Sequence, residues 1–326
     1  MDGTERQLVD GVLAGRRRAL AKTITLLEST RPDHRERAET VLHALLPHAG
    51  GSMRVGISGV PGVGKSTFIE ALGLHLIEQG HRVAVLAVDP SSTVSGGSIL
   101  GDKTRMEQLS MREEAFIRPS PSSGSLGGVA DKTREALLVC EAAGFDVIIV
   151  ETVGVGQSET AVAGMTDVFC LLQLPNAGDD LQAIKKGIVE LADLVVVNKA
   201  DLDPGAADLA AGQMRSAMSL LRRHAAHWQP PVLKLSAARG EGIAAFWQAI
   251  ADFREAMTAA GEFAAKRRHQ ALAWMWELIE TGLHERFRNH PGVQASLPEL
   301  SAAVEDGGVA PAVAAHRLLG LMSRYF

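Results

Sequence analysis

Short apolar runs alternate with helical patterns through the middle of the chain. Each run has the length of a strand, is rich in β-branched side chains, and is followed by a turn or a helix pattern. The runs are Met53–Ser58, Val83–Val88, Val147–Val150, Val168–Leu172, Leu194–Val197 and Val232–Leu235. This alternation is typical of a parallel sheet covered by helices on both faces. The sequence therefore predicts an α/β fold with a mostly parallel sheet flanked by helices.

Helical patterns occupy both ends of the chain. Residues 4 to 47 carry apolar side chains at helical spacing, with a break at Pro32 and a second helix from Asp33, as its N-cap, to Leu46. From about Phe246 the chain is helical again and closes with two short helices. The predicted segments are an N-terminal helical extension at 1–50, an α/β domain at 51–260, and a C-terminal helical dimerisation segment at 261–326.

Composition and charge narrow the class of protein. The 326 residues carry 33 Lys+Arg against 38 Asp+Glu, a net charge of -5, which gives no electrostatic reason to expect nucleic acid as the main partner. The basic clusters Arg16–Arg18 and Lys266–Arg268 are expected to be solvated helix faces. The two cysteines, Cys140 and Cys170, are expected to be buried thiols. Because no apolar run is long enough to span a bilayer and acidic residues occur near the N-terminus, we expect a cytoplasmic protein with no membrane partner.

The segment Gly59-Val-Pro-Gly-Val-Gly-Lys-Ser-Thr67 lies between the first predicted strand and a helix pattern. It matches the P-loop, G-x-x-x-x-G-K-[ST], whose glycines let backbone N–H groups turn toward phosphates. The Lys65 ammonium is expected to reach the β- and γ-phosphates, and the Ser66 hydroxyl to bind Mg²⁺. An ordinary glycine-rich turn would not need Lys-Ser at this offset. The predicted phosphate-binding residues are Gly59, Gly62, Val63, Gly64, Lys65, Ser66 and Thr67.

A second motif, Asn198-Lys199-Ala200-Asp201, directly follows the predicted strand Leu194–Val197 and predicts the base. The Asp201 carboxylate can accept two hydrogen bonds from guanine N1–H and N2–H₂, a donor pair that adenine lacks. Lys199 is expected to lie along the base and Asn198 to tie the loop together. The segment alone could be a surface turn, but after a P-loop it favours GTP and GDP as ligands. The backbone expected to meet guanine O6 is that of Ser236, Ala237 and Ala238.

Acidic residues after the strands are candidate Mg²⁺ ligands. Glu151 ends a predicted strand on the phosphate side and could hold Mg²⁺ directly or through water. Asp89 and Asp102 are further candidates, although either could instead cap a helix. Gly154 can place its N–H on the γ-phosphate. Gln157 is the nearest candidate to orient a water molecule, and a role as a capping or surface amide is equally open.

These residues together resemble the methylmalonyl-CoA mutase-associated GTPase family, the MeaB-like proteins. The P-loop and Asn-Lys-x-Asp are generic to GTPases, whereas Glu151–Glu159 and Gly178–Lys186 are far more specific to this family. Val88–Ser92 and Gly101–Met106 match as well. The resemblance covers nearly the whole chain.

The resemblance implies a homodimeric GTPase that is the chaperone of an adenosylcobalamin-dependent acyl-CoA mutase, such as methylmalonyl-CoA mutase. It implies that GTP binding and hydrolysis gate cofactor loading and protect the mutase. Asp89 and Glu151 would surround Mg²⁺, Asp102 would belong to the first switch, and the segment of Lys185 would be a third switch. The candidate catalytic residues are Lys65, Asp102, Glu151, Gln157 and Lys185.

Two departures from the family and three other functions bear on this interpretation. Gly15–Arg18 replaces an expected Gly-Asp-Arg-Arg, and an Asp-x-His-x-x-Gly motif is missing, so the chain is not expected to hold the corrinoid itself.

The alternative is a nickel or zinc metallochaperone GTPase, which needs a His-rich tract or a Cys cluster, whereas the 11 His are scattered here. A transport-linked kinase has no acceptor-binding feature in its support. A small-GTPase switch is disfavoured because Glu151 stands where those proteins usually have Asp.

Overall fold

The computed structural model describes residues 1–88, 106–119, 126–152, 158–175, 186–220 and 227–322. The chain divides into two compact units, of which the first comprises residues 1–268 and the second residues 269–326. The helices of the first unit are α1 (Gly3–Leu13), α2 (Arg17–Glu28), α3 (Pro32–Leu45), α4 (Lys65–Glu78), α5 (Glu107–Ser110), α6 (Leu126–Ala142), α7 (Ser158–Ala163), α8 (Lys186–Leu191), α9 (Pro204–Leu220) and α10 (Ile243–Ala259). The helix α11 (Glu262–Asn289) begins in the first unit and continues into the second.

A parallel sheet of seven strands forms the centre of the first unit, in the order β3-β2-β4-β1-β5-β6-β7 within the described residues. All six strand pairings are parallel. The strands are β1 (Met53–Gly59), β2 (Val83–Val88), β3 (Ala115–Arg118), β4 (Val147–Thr152), β5 (Val168–Gln173), β6 (Leu194–Val197) and β7 (Val232–Lys234). The predicted α/β fold is thus confirmed. The sequence missed β3, a short strand at the sheet edge whose four residues give little periodicity.

Both faces of the sheet are buried, which explains why its strands appear as continuous apolar runs. In β2, Ala84, Leu86 and Val88 pack in the same cluster as residues of α1, α2, α3, α6 and α7. Val83 and Val85 belong to the cluster on the opposite face, with residues of α4 and α10. Alternate side chains of one strand therefore stabilise two separate helical layers.

The N-terminal helices correct two expectations. The predicted first helix is interrupted at Gly15, which has φ of 65° and donates its N–H to Val12 O at 2.8 Å, so α1 ends before α2 begins. A left-handed residue cannot continue an α-helix, and glycine adopts it at least cost. Asp33 is not the N-cap of α3, because the helix begins one residue earlier at Pro32 with Arg31 as the cap. Proline suits the first helical position, and Asp33 instead pairs with Arg31 at 2.7 Å.

The start of α11 is fixed to the first unit by the second basic cluster, which was wrongly expected to be a solvated face. Arg267 forms two hydrogen bonds with the Asp167 carboxylate, at 2.7 and 2.6 Å, and donates to Ser52 O at 2.6 Å. Lys266 donates to Asp167 O at 2.6 Å and lies 3.3 Å from the Asp193 carboxylate. A guanidinium fork fits a carboxylate geometrically, which a helical pattern in the sequence does not reveal. Within the cluster, Arg268 alone is exposed.

The second unit contains the rest of α11 followed by α12 (Pro291–Glu305) and α13 (Pro311–Met322). Large apolar side chains of α11 are exposed, and five of them recur at intervals that place them along one helix face. They are Leu272, Met275, Trp276, Ile279 and Leu283, with exposed fractions between 40% and 58%. We call this set the α11 stripe.

Both cysteines lie in the apolar layers of the first unit. Cys140 and Cys170 are fully buried and form no disulfide. Burial raises the pKa of both thiols well above the usual value, so they stay protonated and unreactive near neutral pH. The expectation of buried thiols is confirmed. Among the described helices, none combines the length and the apolar character that crossing a bilayer requires.

Candidate active site

The P-loop lies between β1 and α4, at the carboxyl edge of the sheet. β1 lies between β4 and β5. The chain goes from β1 to β2 on one side of it and later crosses from β4 to β5 on the other, so the direction of winding reverses beside the end of β1, where open parallel sheets usually bind ligands. Gly64, with φ of 93°, is the residue from which α4 starts, and the helix begins at Lys65. Ser66 and Thr67 therefore lie in the first turn, where backbone N–H groups have no partner inside the helix. Such a helix start attracts phosphate.

The Lys65 side chain folds back over the P-loop. Its Nζ atom donates to Gly59 O at 2.7 Å and lies 3.5 Å from Val60 O. The ammonium is thus held within the loop that contains the predicted phosphate-binding residues. A cation binds phosphate oxygens more strongly than carbonyl oxygens, so the phosphates of a bound nucleotide can replace Gly59 O as the partner of the Lys65 ammonium.

Asn198 links three loops that are distant in the sequence. Its Nδ2 donates to Val63 O in the P-loop at 2.8 Å, and its Oδ1 accepts from Lys199 N at 2.8 Å and Ala237 N at 3.1 Å. The side chain is 2% exposed, so these bonds form away from water. A Cβ added at Gly64 would come 2.8 Å from Asn198 Nδ2, which shows how closely the loops approach. The amide therefore sets the spacing between the phosphate and base ends of the site.

Lys199 and Asp201 lie beside this link. Lys199 has φ of 59°, the one positive value at a residue other than glycine in the described part of the chain, and its Nζ donates to Gly62 O at 2.8 Å. A left-handed conformation outside glycine costs roughly 1–2 kcal/mol and often marks a functional site. The Asp201 side chain is 10% exposed, and Oδ2 lies 3.3 Å from Arg239 Nε.

The segment after β7 completes the base end. Leu235 N donates to Val197 O at 3.0 Å, and Ser236 exchanges backbone hydrogen bonds with Glu241 at 3.0 and 3.1 Å. The short helix Ala237–Arg239 follows, so Ala238 lies in the turn between the Asn198 contact and Arg239. The structure thus brings the predicted residues of the P-loop, Asn-Lys-x-Asp and Ser-Ala-Ala segments into one site.

Arg239 was missed by the sequence analysis. Its side chain is 60% exposed, yet its guanidinium faces the carboxylate that is predicted to read guanine. A basic residue directly after Ser-Ala-Ala was the available signal, but nothing in the spacing indicates which acid it faces. The contact holds a positive charge beside Asp201 and orients its carboxylate.

Glu151 lies at the carboxyl end of β4, in register with Ile57 of β1 and Ala87 of β2, and is 3% exposed. The Thr152 hydroxyl donates to Ser58 Oγ at 2.9 Å on the adjacent strand. Carboxylate and hydroxyl oxygens are the ligand types that Mg²⁺ prefers, so Glu151 and Ser66 fit a magnesium site in their chemistry. Among the described residues, no group of three or more His, Cys, Asp or Glu side chains is arranged to hold a metal ion.

Five predicted site residues lie outside the described residues, and their placement stays a prediction. They are Asp89, Asp102, Gly154, Gln157 and Lys185. The described neighbours still fix where two of these segments begin. β2 ends at Val88, directly before Asp89, and β4 ends at Thr152, directly before residue 153, both at the carboxyl edge that carries the P-loop. Parallel strands present their carboxyl ends at one edge, which is the edge expected for the γ-phosphate.

Comparison with known proteins connects this geometry to one family. The family model described as "Methylmalonyl Co-A mutase-associated GTPase MeaB" matches residues 20–292. A "Putative GTPase" of Caulobacter vibrioides is 56% identical over 319 residues, which is 98% of this chain and 97% of the relative. The mouse protein "Methylmalonic aciduria type A homolog, mitochondrial" is 49% identical over 326 aligned positions, covering 96% of this chain and 78% of its own length.

A solved structure shows the same architecture along the chain. The crystal structure of a "LAO/AO transport system kinase" is 38% identical, covers 99% of both chains and superimposes with a TM-score of 0.80. The alignment therefore spans both units of the chain.

Proposed function

Because the chain belongs to the methylmalonyl-CoA mutase-associated GTPase family, we propose that it is the chaperone of an adenosylcobalamin-dependent acyl-CoA mutase. It is a GTPase, and its family links it to methylmalonyl-CoA mutase. The finer proposal is that GTP binding and hydrolysis gate the loading of the cofactor and protect the mutase from inactivation. The observation that carries it is the match of the family model across both the nucleotide loops and the start of the C-terminal helices.

The P-loop residues bind and orient the phosphates in this proposal. Backbone N–H groups of residues 62–67 surround the β-phosphate at the positive end of α4. Lys65 exchanges Gly59 O for the β- and γ-phosphate oxygens and offsets the negative charge that builds up during transfer. Positioning and charge compensation supply most of the catalysis in phosphoryl transfer.

The base end selects guanine. Asp201 accepts hydrogen bonds from N1–H and N2–H₂, the Lys199 side chain covers the base, and the Ser236–Ala238 backbone donates to O6. An adenine base offers Asp201 no matching pair of donors, so the largely covered carboxylate loses both hydrogen bonds to the base. Selectivity for GTP over ATP follows from this loss.

The metal and the attacking water are assigned to the γ-phosphate side. Ser66 and Glu151, with Asp89 and Asp102, would hold Mg²⁺, which when bound supplies charge neutralisation across the phosphates. Gly154 would donate its N–H to the γ-phosphate, and Gln157 would orient the water. Lys185 would lie in a segment that responds to the partner.

A homodimer is part of the same proposal, with the α11 stripe as its contact. The stripe keeps five large apolar side chains exposed along a single helix face. A continuous apolar patch of this kind usually marks a protein–protein contact, and burial releases about 25 cal/mol per Å². The proposed partners are therefore a second copy of the chain and the mutase, with no nucleic acid and no membrane, and we propose a cytoplasmic location.

The test measures GTP turnover with and without purified methylmalonyl-CoA mutase. We expect slow hydrolysis by the protein alone and an increase of at least about tenfold when apo-mutase is added, because the partner orders an incomplete site. Transfer of adenosylcobalamin into apo-mutase, followed by absorbance, should require GTP. The control is Lys65→Ala, which should abolish hydrolysis in both conditions. Turnover that is fast alone and indifferent to the mutase would reject the proposal.

A further inference from the structure

A hollow of about 710 Å³ lies among the three N-terminal helices and takes no part in the site described above. Charged and polar side chains line it around an apolar floor. The lining residues are Thr4, Gln7, Leu8, Asp10, Arg16, Arg18, Ala19, Lys22, Thr25, Leu26, His34 and Arg37. We call it the N-terminal hollow. Its volume falls within the range of about 300–1,000 Å³ that is usual for small-molecule sites.

The lining is strongly positive although the whole chain carries a net charge of -5. Four cations face a single carboxylate, that of Asp10. One of the cations, Arg37, is partly balanced by the buried Glu5, since Arg37 Nε lies 3.7 Å from Glu5 Oε1. That distance is too long for a hydrogen bond, and Arg37 Nε has no hydrogen-bond partner among the described residues. Even with Glu5 counted, positive charge remains in excess.

The three arginines at the start of α2 do not all contribute to the hollow. Arg17 donates to the backbone of Arg112 at 3.1 Å, outside the hollow. Arg16 and Arg18 line the hollow together with Lys22, one turn further along α2. In the part of the chain that the structure describes, the side chains of these three residues make no ion pair. Concentrated cations without counter-charges repel one another, so they are poised to bind an anion.

We propose that the N-terminal hollow binds an organic phosphate of about nucleotide size. Guanidinium groups match phosphate oxygens with paired hydrogen bonds, and Arg16, Arg18 and Arg37 provide three of them from two helices. The apolar floor of Leu8, Ala19 and Leu26 suits the uncharged part of such a ligand. A recess of this volume with an apolar floor suits a compact ligand, whereas an extended acidic segment of a protein needs a long groove.

The experiment uses the full chain with its GTP site saturated by GDP and Mg²⁺, and titrates ATP by calorimetry. Inorganic tripolyphosphate is titrated separately, so that the phosphate contribution is distinguished from that of the nucleoside. The variant is Arg18→Glu/Lys22→Glu, which reverses two charges of the hollow. The matched control is Arg6→Glu, an exposed arginine on α1 that does not line it. GTP turnover and thermal melting of each variant confirm that the fold and the GTP site persist.

We expect ATP to bind at low salt, the double reversal to weaken binding at least about tenfold, and Arg6→Glu to change it less than twofold. Tripolyphosphate that binds equally well, with the same response to the variants, also supports the proposal. No binding at 1 mM ligand, or binding that the double reversal leaves unchanged, overturns it. Tighter binding of hexaglutamate than of either phosphate at the same residues overturns it in favour of an acidic protein segment.

Discussion

At the scale of single residues, the Asn198 amide is the most connected group of the nucleotide site. It donates to the P-loop and accepts from the loops of Lys199 and Ala237. All three partners are backbone atoms, so their identity depends on the path of the chain and not on side chains. The motif predicts that Asn198 ties its own loop, but the bond to Val63 O requires the folded sheet to bring residue 63 beside residue 198.

The base end should respond to Asp201→Asn with a change of preference. The amide replaces one acceptor by a donor that faces the donors of guanine, while xanthine offers a carbonyl there. GTP affinity should fall about a hundredfold and XTP should become the better ligand, because bonds to a charged acceptor contribute about 1.5–3 kcal/mol each. Competition between GTP and XTP for binding measures this. A variant that keeps the original GTP affinity would contradict the assignment.

Arg239→Met is the matched control for that experiment. It removes the ion pair with Asp201 but leaves both carboxylate oxygens in place. Because the acceptors persist, the preference for GTP over XTP should be retained, although affinity should fall by a few fold as the carboxylate loses its orientation. A switch of preference in this variant would place base recognition on Arg239.

At the scale of elements, a buried carboxylate joins α6 to the start of β1. Glu141 accepts from Gly50 N at 2.7 Å, from Ser52 Oγ at 2.6 Å and from two nitrogens of Arg54 at 2.9 Å each. Burial alone would raise the pKa of Glu141, but these hydrogen bonds and the charge of Arg54 outweigh it and hold the pKa below its usual value. The ionised form is therefore part of the fold.

Glu141→Gln should destabilise the protein by about 3 kcal/mol near neutral pH, since it leaves Arg54 in a buried site without its counter-charge. A carboxyl whose pKa is lowered on folding contributes stability above the unfolded pKa, and that stability is lost as pH falls through the folded pKa. The difference from the original protein should thus be constant near pH 7 and shrink below about pH 4.5. Urea unfolding at pH 7, 5 and 4 tests this.

Glu135→Gln is the control, because Glu135 lies on the same helix but its pKa is shifted in the opposite direction from that of Glu141. Burial raises the pKa of Glu135, with the nearby Lys132 offsetting it in part. Glutamine mimics the protonated carboxyl, so the variant should change stability little at low pH. Near neutrality, above the folded pKa, burial penalises the ionised Glu135, and the variant should be more stable than the original protein. Equal pH profiles for the two variants would contradict the network described for Glu141.

The helices and strands also show which features of the fold could be predicted from the sequence. Six strands were predicted within two residues at each end. Five of them are buried and appear as unbroken apolar runs, whereas β7, at the edge of the sheet, is partly exposed. The division between α1 and α2 was missed, since apolar spacing continues through Gly15 and only its left-handed backbone ends the helix. The anchoring of α11 was missed too, because the carboxylate that Arg267 meets is about a hundred positions away in the sequence.

At the scale of the molecule, the chain combines a GTPase unit with a helical unit that carries an exposed apolar stripe. Leu272→Glu places a charge on the α11 stripe and should convert the proposed dimer to monomer, because desolvating an unpaired carboxylate costs several kcal/mol. Sedimentation velocity across protein concentration measures the change. GTP binding should persist, since the nucleotide loops belong to the first unit.

Leu209→Glu is the matched control for the dimer. Leu209 is a leucine of similar exposure, 65% against 58% for Leu272, and lies on α9 in the first unit. It should leave the sedimentation coefficient unchanged. A monomer in the original protein would reject the proposed dimer, and dissociation caused by Leu209→Glu alone would place its contact on α9 instead of α11.

Some features of the whole molecule could be predicted from the sequence, and others depend on tertiary packing. The fold and the base and phosphate loops follow from local motifs, whose spacing alone names the chemistry. The N-terminal hollow could not be predicted, because its cations come from α2 and α3 and only tertiary packing turns them to one space. Read along the chain, Arg16–Arg18 is a basic run like many others.

The close approach of Gly64 to Asn198 has a consequence for how the site can be damaged. A methyl group at position 64 would be 2.8 Å from Asn198 Nδ2 and would push the amide off Val63 O. The change is made in the phosphate-binding loop, but it would also reduce discrimination between bases. The reason is that the same amide accepts hydrogen bonds from the loops of Lys199 and Ala237. A Gly64→Ala variant should therefore show a base-recognition defect in addition to the backbone strain that a φ of 93° imposes on the phosphate-binding loop.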